Sequence, residues 1–345
     1  MNCTLPLMFK FFTFPLLSIF ILLLNPATVL GSNYPHKGIC YASWQKNDYS
    51  SSSSDRSLKK ATKLGTEYIA IVITQYQDSA SSKNIKKTSK TPSDKSLIHA
   101  INKAHDLNFK VMLKPHLDLL EPYNDSLCRS DIGFYTEKDW EEWFNAYQSF
   151  ILHYARIAED LNVELFCIGT ELSFTTEKND LWVNKIINEI KNIYSGKLVY
   201  AANWDNYKNI QFWNELDYVG IDAYFPLYPK RNPSLTQIKR GWEKWKAELR
   251  AWHKKINKPI LFTEIGYTSS EYSAYEPWKD SIERTANNEM QTKCYKAFFE
   301  TIWGCSWLAG VYWWHWGLDS ADQNNSHFSP QNKPTEKIIK HYYKN

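Results

Sequence analysis

The chain has 345 residues, 43% of them hydrophobic and 23% charged, with a net charge of +4, which allows one large domain or two ordinary ones of about 100–200 residues. Glycine is scarce at 12 residues, about half the usual ~7%, which excludes collagen-like and low-complexity classes, and the weak, dispersed positive charge excludes a nucleic-acid footprint. Aromatic residues are abundant, with 15 Trp, 22 Tyr and 17 Phe; a bulky core accounts for about half of them, and the rest suit stacking on the flat C–H faces of sugars.

At the amino terminus, a 14-residue apolar run from Phe11 to Leu24 follows Lys10 and precedes Asn25-Pro26 and the small residues up to Gly31. Spanning a bilayer takes about 20 apolar residues, so residues 1–31 are predicted to be a secretory signal peptide, an uncleaved anchor being the alternative. Secreted or periplasmic localisation follows as an expectation, with no membrane contact beyond that segment. Residues 32–345 are predicted to form one catalytic domain.

From residue 38 onward, eight short apolar runs alternate with segments of helical period: Gly38–Trp44, Tyr68–Tyr76, Lys110–Asp118, Leu165–Leu172, Lys197–Asn203, Tyr218–Tyr224, Pro259–Tyr267 and Leu308–Trp316. Most are continuously apolar, as expected for parallel strands covered on both faces. Between them, Trp140, Trp143, Phe144, Tyr147, Ile151, Tyr154, Ala158 and Leu161 mark one amphipathic helix face. Ile186, Ile187, Ile190 and Ile193 mark a second, and Ile238, Trp242, Trp245, Leu249 and Trp252 a third. Pro334 opens a last helix through Tyr343. The polar stretches Ser50–Ser54 and Lys83–Lys90 read as solvated loops. Eight βα units predict an α/β fold, a single (β/α)8 TIM barrel; the competing doubly wound sheet usually brings a Gly-rich phosphate turn, and none occurs. Cys40 and Cys167 read as small core residues, and Cys294 and Cys305 stand too far apart along one helix to bridge.

A barrel of this kind builds its active site at the carboxyl ends of its strands. Glu171 ends the fourth run and Glu264 the seventh, each after an apolar stretch where a lone carboxylate would be costly unless it faced a cleft. Two carboxylates across a barrel mouth suit glycoside hydrolysis, a separation of about 5–5.5 Å marking the retaining mechanism; two unrelated structural acids remain the alternative. Hydrolysis by two carboxylates needs no cofactor, and no H-E-x-x-H, C-x-x-C or G-x-S-x-G motif occurs.

Five segments in barrel order resemble the clan A glycoside hydrolases, and within them glycoside hydrolase family 113, the β-1,4-mannanase family. They are Val111-Met112-Leu113-Lys114-Pro115-His116, Ile168-Gly169-Thr170-Glu171-Leu172, Gly220-Ile221-Asp222-Ala223-Tyr224-Phe225-Pro226, Phe262-Thr263-Glu264-Ile265-Gly266-Tyr267 and Gly310-Val311-Tyr312-Trp313-Trp314-His315-Trp316. The resemblance implies that Glu171 is the general acid/base, Glu264 the nucleophile, and Tyr224 a hydrogen-bond donor to that nucleophile. The clan commonly carries Asn before the acid/base; Thr170 stands here, which leaves the usual contact to the sugar's 2-hydroxyl unprovided and favours mannose over glucose as a hypothesis.

His116, Asn203 and Trp204 are further candidates for sugar contact, with Trp44 a weaker one. Trp314 and Trp316 are predicted to share one side of the eighth strand, where one would stack on the sugar at the cleavage point, Trp316 lying nearer the strand's end. Tyr267 and Trp278 are assigned to the far side of the cleft. The expected partner is a β-mannan polysaccharide or oligosaccharide, acted on by a monomer. A glucanase, an exo-acting mannosidase and a non-catalytic sugar-binding barrel remain open.

Overall fold

The computed structural model describes residues 35–120, 127–280, 284–318 and 324–345. The segment read as a signal peptide lies outside the described residues. Eight parallel strands close into a barrel in chain order: β1 (His36–Tyr41), β2 (Tyr68–Gln77), β3 (Lys110–Leu119), β4 (Leu165–Thr170), β5 (Lys197–Asn203), β6 (Tyr218–Asp222), β7 (Ile260–Ile265) and β8 (Leu308–Trp316). Each apolar run of the sequence is one of these strands, because a strand walled by the barrel interior on one face and by helices on the other needs apolar side chains on both.

The helices are α1 (Ser52–Thr62), α2 (Asp94–Asp106), α3 (Glu137–Asp160), α4 (Asn179–Leu181), α5 (Asn188–Lys191), α6 (Leu235–Ile256), α7 (Asn288–Thr301) and α8 (Thr335–Lys344). A π-helical stretch, Trp182–Ile187, runs between α4 and α5. Two expectations change. The β5–β6 connection carries only a 3₁₀ turn, Phe212–Glu215, in place of an α-helix. Ser52, Ser53 and Ser54 belong to the first turn of α1 rather than to a loop, because Ser51 caps that helix by accepting from the Ser54 N–H.

The core has two layers. Small and medium residues fill the barrel interior, among them Cys40, Ala70, Met112, Cys167, Val199, Ala201 and Leu261, while a larger aromatic and aliphatic layer packs between strands and helices. The α3 stripe is buried in that outer layer from Trp140 to Ala158. Cys40, Cys128, Cys167, Cys294 and Cys305 are all free thiols.

Register breaks concentrate at one end. Pairing shifts between Cys167 and Thr170 on β4, between Ile221 and Asp222 on β6, between Phe262 and Ile265 on β7, and between Ile39 and Tyr41 opposite β8. Such bulges bend a strand and re-aim its side chains. Gly169 sits inside the β4 bulge, where an added Cβ would fall 2.8 Å from Trp182 and 2.9 Å from Tyr200. Only a residue without a side chain fits that approach.

Candidate active site

Alternation along β3 turns Met112, Lys114 and His116 to one face, and Met112 belongs to the interior cluster. Lys114 is consequently a fully buried cation. It donates to Glu264 Oε1 at 2.5 Å and to Asp222 Oδ1 at 3.1 Å. Burial opposes its charge, but the Asp222 and Glu264 carboxylates more than compensate and hold its pKa above the ordinary lysine value. Asp222 also accepts from Thr263 Oγ1 at 2.8 Å. Burial pushes the Asp222 carboxyl up, the Glu264 charge adding to the rise and Lys114 opposing it. Tyr224 OH donates to the other Glu264 oxygen, Oε2, at 2.7 Å. Both oxygens of Glu264 are therefore held, one by an ammonium and one by a phenol.

Glu171 follows directly on the β4 bulge. Its φ is +56°, and among the described residues every other positive-φ residue that is not glycine is an asparagine. A left-handed glutamate is a strained conformation of the kind that clusters at functional sites, and here a bond from its N–H to the Ala201 carbonyl, 2.8 Å, holds it. The side chain is 21% exposed. Burial pushes its carboxyl up to about 6, Arg129 pulling it down and the Glu264 charge adding to the rise.

A continuous polar bridge joins the two glutamates. Arg129 Nε lies 3.8 Å from Glu171 Oε2, its terminal nitrogen donates to His116 Nδ1 at 2.9 Å, and His116 Nε2 lies 3.7 Å from Glu264 Oε1. The His116 ring stacks parallel to Trp314 at 6.0 Å and 8°. Residues on β3, the loop after β3, β4, β7 and β8 thus converge on one end of the barrel, the carboxyl ends of its strands.

Residues 40–333 match the sequence profile of Glycoside Hydrolase Family 113. The chain belongs to glycoside hydrolase family 113. A solved family 113 β-1,4-mannanase complex is 28% identical, with a TM-score of 0.81 over 90% of this chain and 99% of that one. The family 113 β-mannanase of Alicyclobacillus acidocaldarius is 21% identical, with a TM-score of 0.81 over 90% of this chain and 97% of that one. More distantly, a β-glucuronidase of Faecalibacterium prausnitzii shares the fold at 11% identity and a TM-score of 0.60, this chain covering 49% of it. No curated protein gives a significant match.

Several sequence candidates lie at or just beyond the carboxyl ends of the strands. Trp314 is part-exposed beside His116. Trp44, 37% exposed, meets the ring of His315 edge-on at 5.8 Å. Asn203 donates to Ser173 Oγ, the residue two after Glu171, at 3.3 Å. Trp204 stacks on the exposed Trp278 at 5.7 Å and 19°, an aromatic wall on the β5 and β7 side.

Trp316 is a correction. It has no exposed surface, its indole N–H donates to the Ser57 carbonyl at 3.2 Å, and the Lys60 ammonium lies over its ring. The bulge sets one residue of β1, Cys40, against two of β8, Trp314 and His315, between the pairs Ile39–Trp313 and Tyr41–Trp316, so Trp316 faces α1 while Trp314 faces inward. Tyr267 is also buried, behind β7 against Tyr295. Thr170 is buried with its hydroxyl 3.8 Å from Cys167 Sγ.

Lys114, Asp222 and Arg129 escaped the sequence reading. A charge in the middle of an apolar strand is a signal in itself, since buried lysine requires a partner; Arg129 opens a short 3₁₀ turn, Arg129–Asp131, between β3 and α3 and leaves no such mark. Among the described residues, no cluster of three or more side chains could hold a metal ion, and no helix is long and apolar enough to cross a membrane.

Proposed function

We propose that this family 113 glycoside hydrolase is a secreted, monomeric endo-β-1,4-mannanase acting by double displacement, with Glu264 as nucleophile and Glu171 as general acid/base. The observation that carries the reading is the bridge from Glu171 through Arg129 and His116 to Glu264, which ties two carboxylates from opposite sides of the barrel into one cluster. Their environments differ as the two roles demand. Glu264 accepts from the Lys114 ammonium on one oxygen and from the Tyr224 hydroxyl on the other, so two donors aim its carboxylate. Glu171, pushed up to about 6, keeps its proton in mildly acidic solution.

In the first step Glu264 attacks the anomeric carbon as Glu171 passes its proton to the departing glycosidic oxygen, giving a glycosyl ester. In the second, Glu171 takes a proton from water, which attacks the same carbon and releases Glu264. Trp314 supplies the stacking surface at the cleavage point, held parallel to His116. The Trp204–Trp278 wall receives further sugar units along the chain, which favours internal cleavage. The similarity to solved family 113 β-1,4-mannanases and the missing amide before Glu171 favour mannan over glucan.

Hydrolysis of mannan, glucomannan and cellulose, with Glu264→Ala alongside, tests the assignment. Turnover of mannan and glucomannan well above cellulose supports it; equal rates on gluco- and manno-oligosaccharides overturn the substrate class. Mixed short products from mannohexaose support internal cleavage, and single mannose units alone would mean exo action. Azide should rescue Glu264→Ala as a sugar azide of inverted anomeric configuration, whereas full activity in that variant rejects the nucleophile.

A further inference from the structure

We infer that Arg129 is a positioning residue for both halves of the reaction centre: its guanidinium locks His116 in a single tautomer and tunes the acid/base glutamate. The inference rests on the acid/base reading of Glu171. Arginine donates and never accepts, so the 2.9 Å contact from its terminal nitrogen requires the lone pair of His116 to sit on Nδ1. The ring is neutral, because burial, followed by the Arg129 and Lys114 charges, holds its pKa well below the usual histidine value. The proton is therefore on Nε2.

That nitrogen is buried, without a hydrogen-bond partner, and 3.7 Å from Glu264 Oε1. The parallel Trp314 ring fixes the plane of the imidazole. With its proton on Nε2 the ring turns the positive end of an N–H towards the Glu264 carboxylate. In the other tautomer Nε2 would present a lone pair towards a carboxylate. Arg129 decides between the two.

The same guanidinium lies 3.8 Å from Glu171 and 3.7 Å from Asp118. The titratable and charged groups facing Glu171 are Arg129 from the connection after β3, Lys114 and Asp118 from β3, Tyr200 from β5, Asp222 from β6 with Tyr224 just beyond it, and Glu264 from β7. Those facing His116 are Arg129, Lys114 and Glu264. Of the two cations near Glu171, Arg129 exerts the larger pull, opposing the rise that burial imposes. Removing its charge lets the Glu171 proton bind more tightly, which carries the alkaline limb of kcat/KM to higher pH.

The test compares the pH dependence of kcat/KM on a manno-oligosaccharide for the parent, Arg129→Gln and Arg129→Lys, with Tm for each. Arg129→Gln keeps a donor and loses the charge, so its alkaline limb should move up by about half a pH unit or more. Arg129→Lys keeps the charge and should leave the limb within about 0.2 unit of the parent. An unmoved limb in the Gln variant, or equal movement in both, overturns the inference; a merely structural arginine would lower Tm and leave the limb in place. Glu171→Gln, assayed on an aryl glycoside whose leaving group needs no proton, separates this from failure of the acid/base reading. If the alkaline limb survives there, the acid/base reading fails; if it vanishes there yet ignores Arg129→Gln, the role of Arg129 fails alone. Should Arg129→Gln not fold, nitrogen NMR of the histidine-labelled parent, with His116→Asn for assignment, reads the tautomer directly. A protonated Nε2 supports the inference and a protonated Nδ1 overturns it.

Discussion

The two ends of this barrel handle their cations in opposite ways. At the amino ends of the strands, His36 stacks on Tyr68 at 3.8 Å and meets Tyr218 and Tyr312 edge-on. Lys110 and Lys197 sit over the rings of Tyr68 and Tyr218, each 5.3 Å from the centroid. At the carboxyl ends, Lys114 and Arg129 lie among Asp118, Glu171, Asp222 and Glu264. Both ends hold their histidine neutral: His36 is pushed down to about 3 by burial and then by the Lys197 and Lys110 charges. An ammonium over a ring near solvent sacrifices little hydration and gains about 0.5–1 kcal/mol. A fully buried ammonium between two carboxylates tolerates no missing member.

Strand register follows the same division. Of five shifts in the barrel, four fall at the mouth and the fifth lies by Gly310 near the start of β8. β2 and β3 pair without interruption over their full length.

Substitutions at the two ends should separate them widely. The largest effect is expected for Glu264→Ala, which should lower kcat on mannan by roughly 10⁴–10⁶-fold, as removal of a nucleophile does elsewhere; a loss under about tenfold contradicts its role. Glu171→Gln comes next, at about 10²–10⁴-fold on an unactivated glycan and much less on an aryl glycoside. In the parent, kcat/KM should decline as pH rises through about 6, where Glu171 loses its proton, and a flat profile from pH 5 to 8 speaks against that assignment.

Lys114→Met should cost about 3–5 kcal/mol in urea unfolding, because two buried carboxyl groups lose their shared cation. A cost below about 1 kcal/mol would mean that the mouth cluster relaxes as easily as a surface. The smallest effect belongs to the amino ends of the strands. Lys110→Met should cost about 0.5–1 kcal/mol and leave kcat on mannan within about twofold of the parent; a large drop in activity would erase the contrast between the ends.

Much of the scaffold is legible in the residues. Lys197–Asn203 and Leu308–Trp316 delimit β5 and β8 residue for residue, because a strand covered on both faces leaves an uninterrupted apolar signature. Glu171 and Glu264 stand out as acids ending such runs. The rest depends on local departures from regularity. Trp314 and Trp316 are two positions apart and would share a face on an ideal strand, but the bulge opposite Ile39 and Tyr41 turns one inward and the other towards α1. Nothing in the order of residues marks that insertion. Arg129 reaches the site from a loop whose path is set by tertiary packing, so its pairing with His116 emerges only in three dimensions. The missing helix between β5 and β6 is similar: Phe212 and Trp213 are buried, and a short 3₁₀ turn covers the barrel there as well as a helix would.

The most direct measurement of the central claim is mass spectrometry of the enzyme after incubation with a 2-deoxy-2-fluoro-β-mannosyl fluoride, whose fluorine slows release of a glycosyl ester. A stoichiometric label on the peptide carrying Glu264 is the predicted result. A label on Glu171 or elsewhere, or turnover of mannan with no trapped ester under the same conditions, would contradict the account.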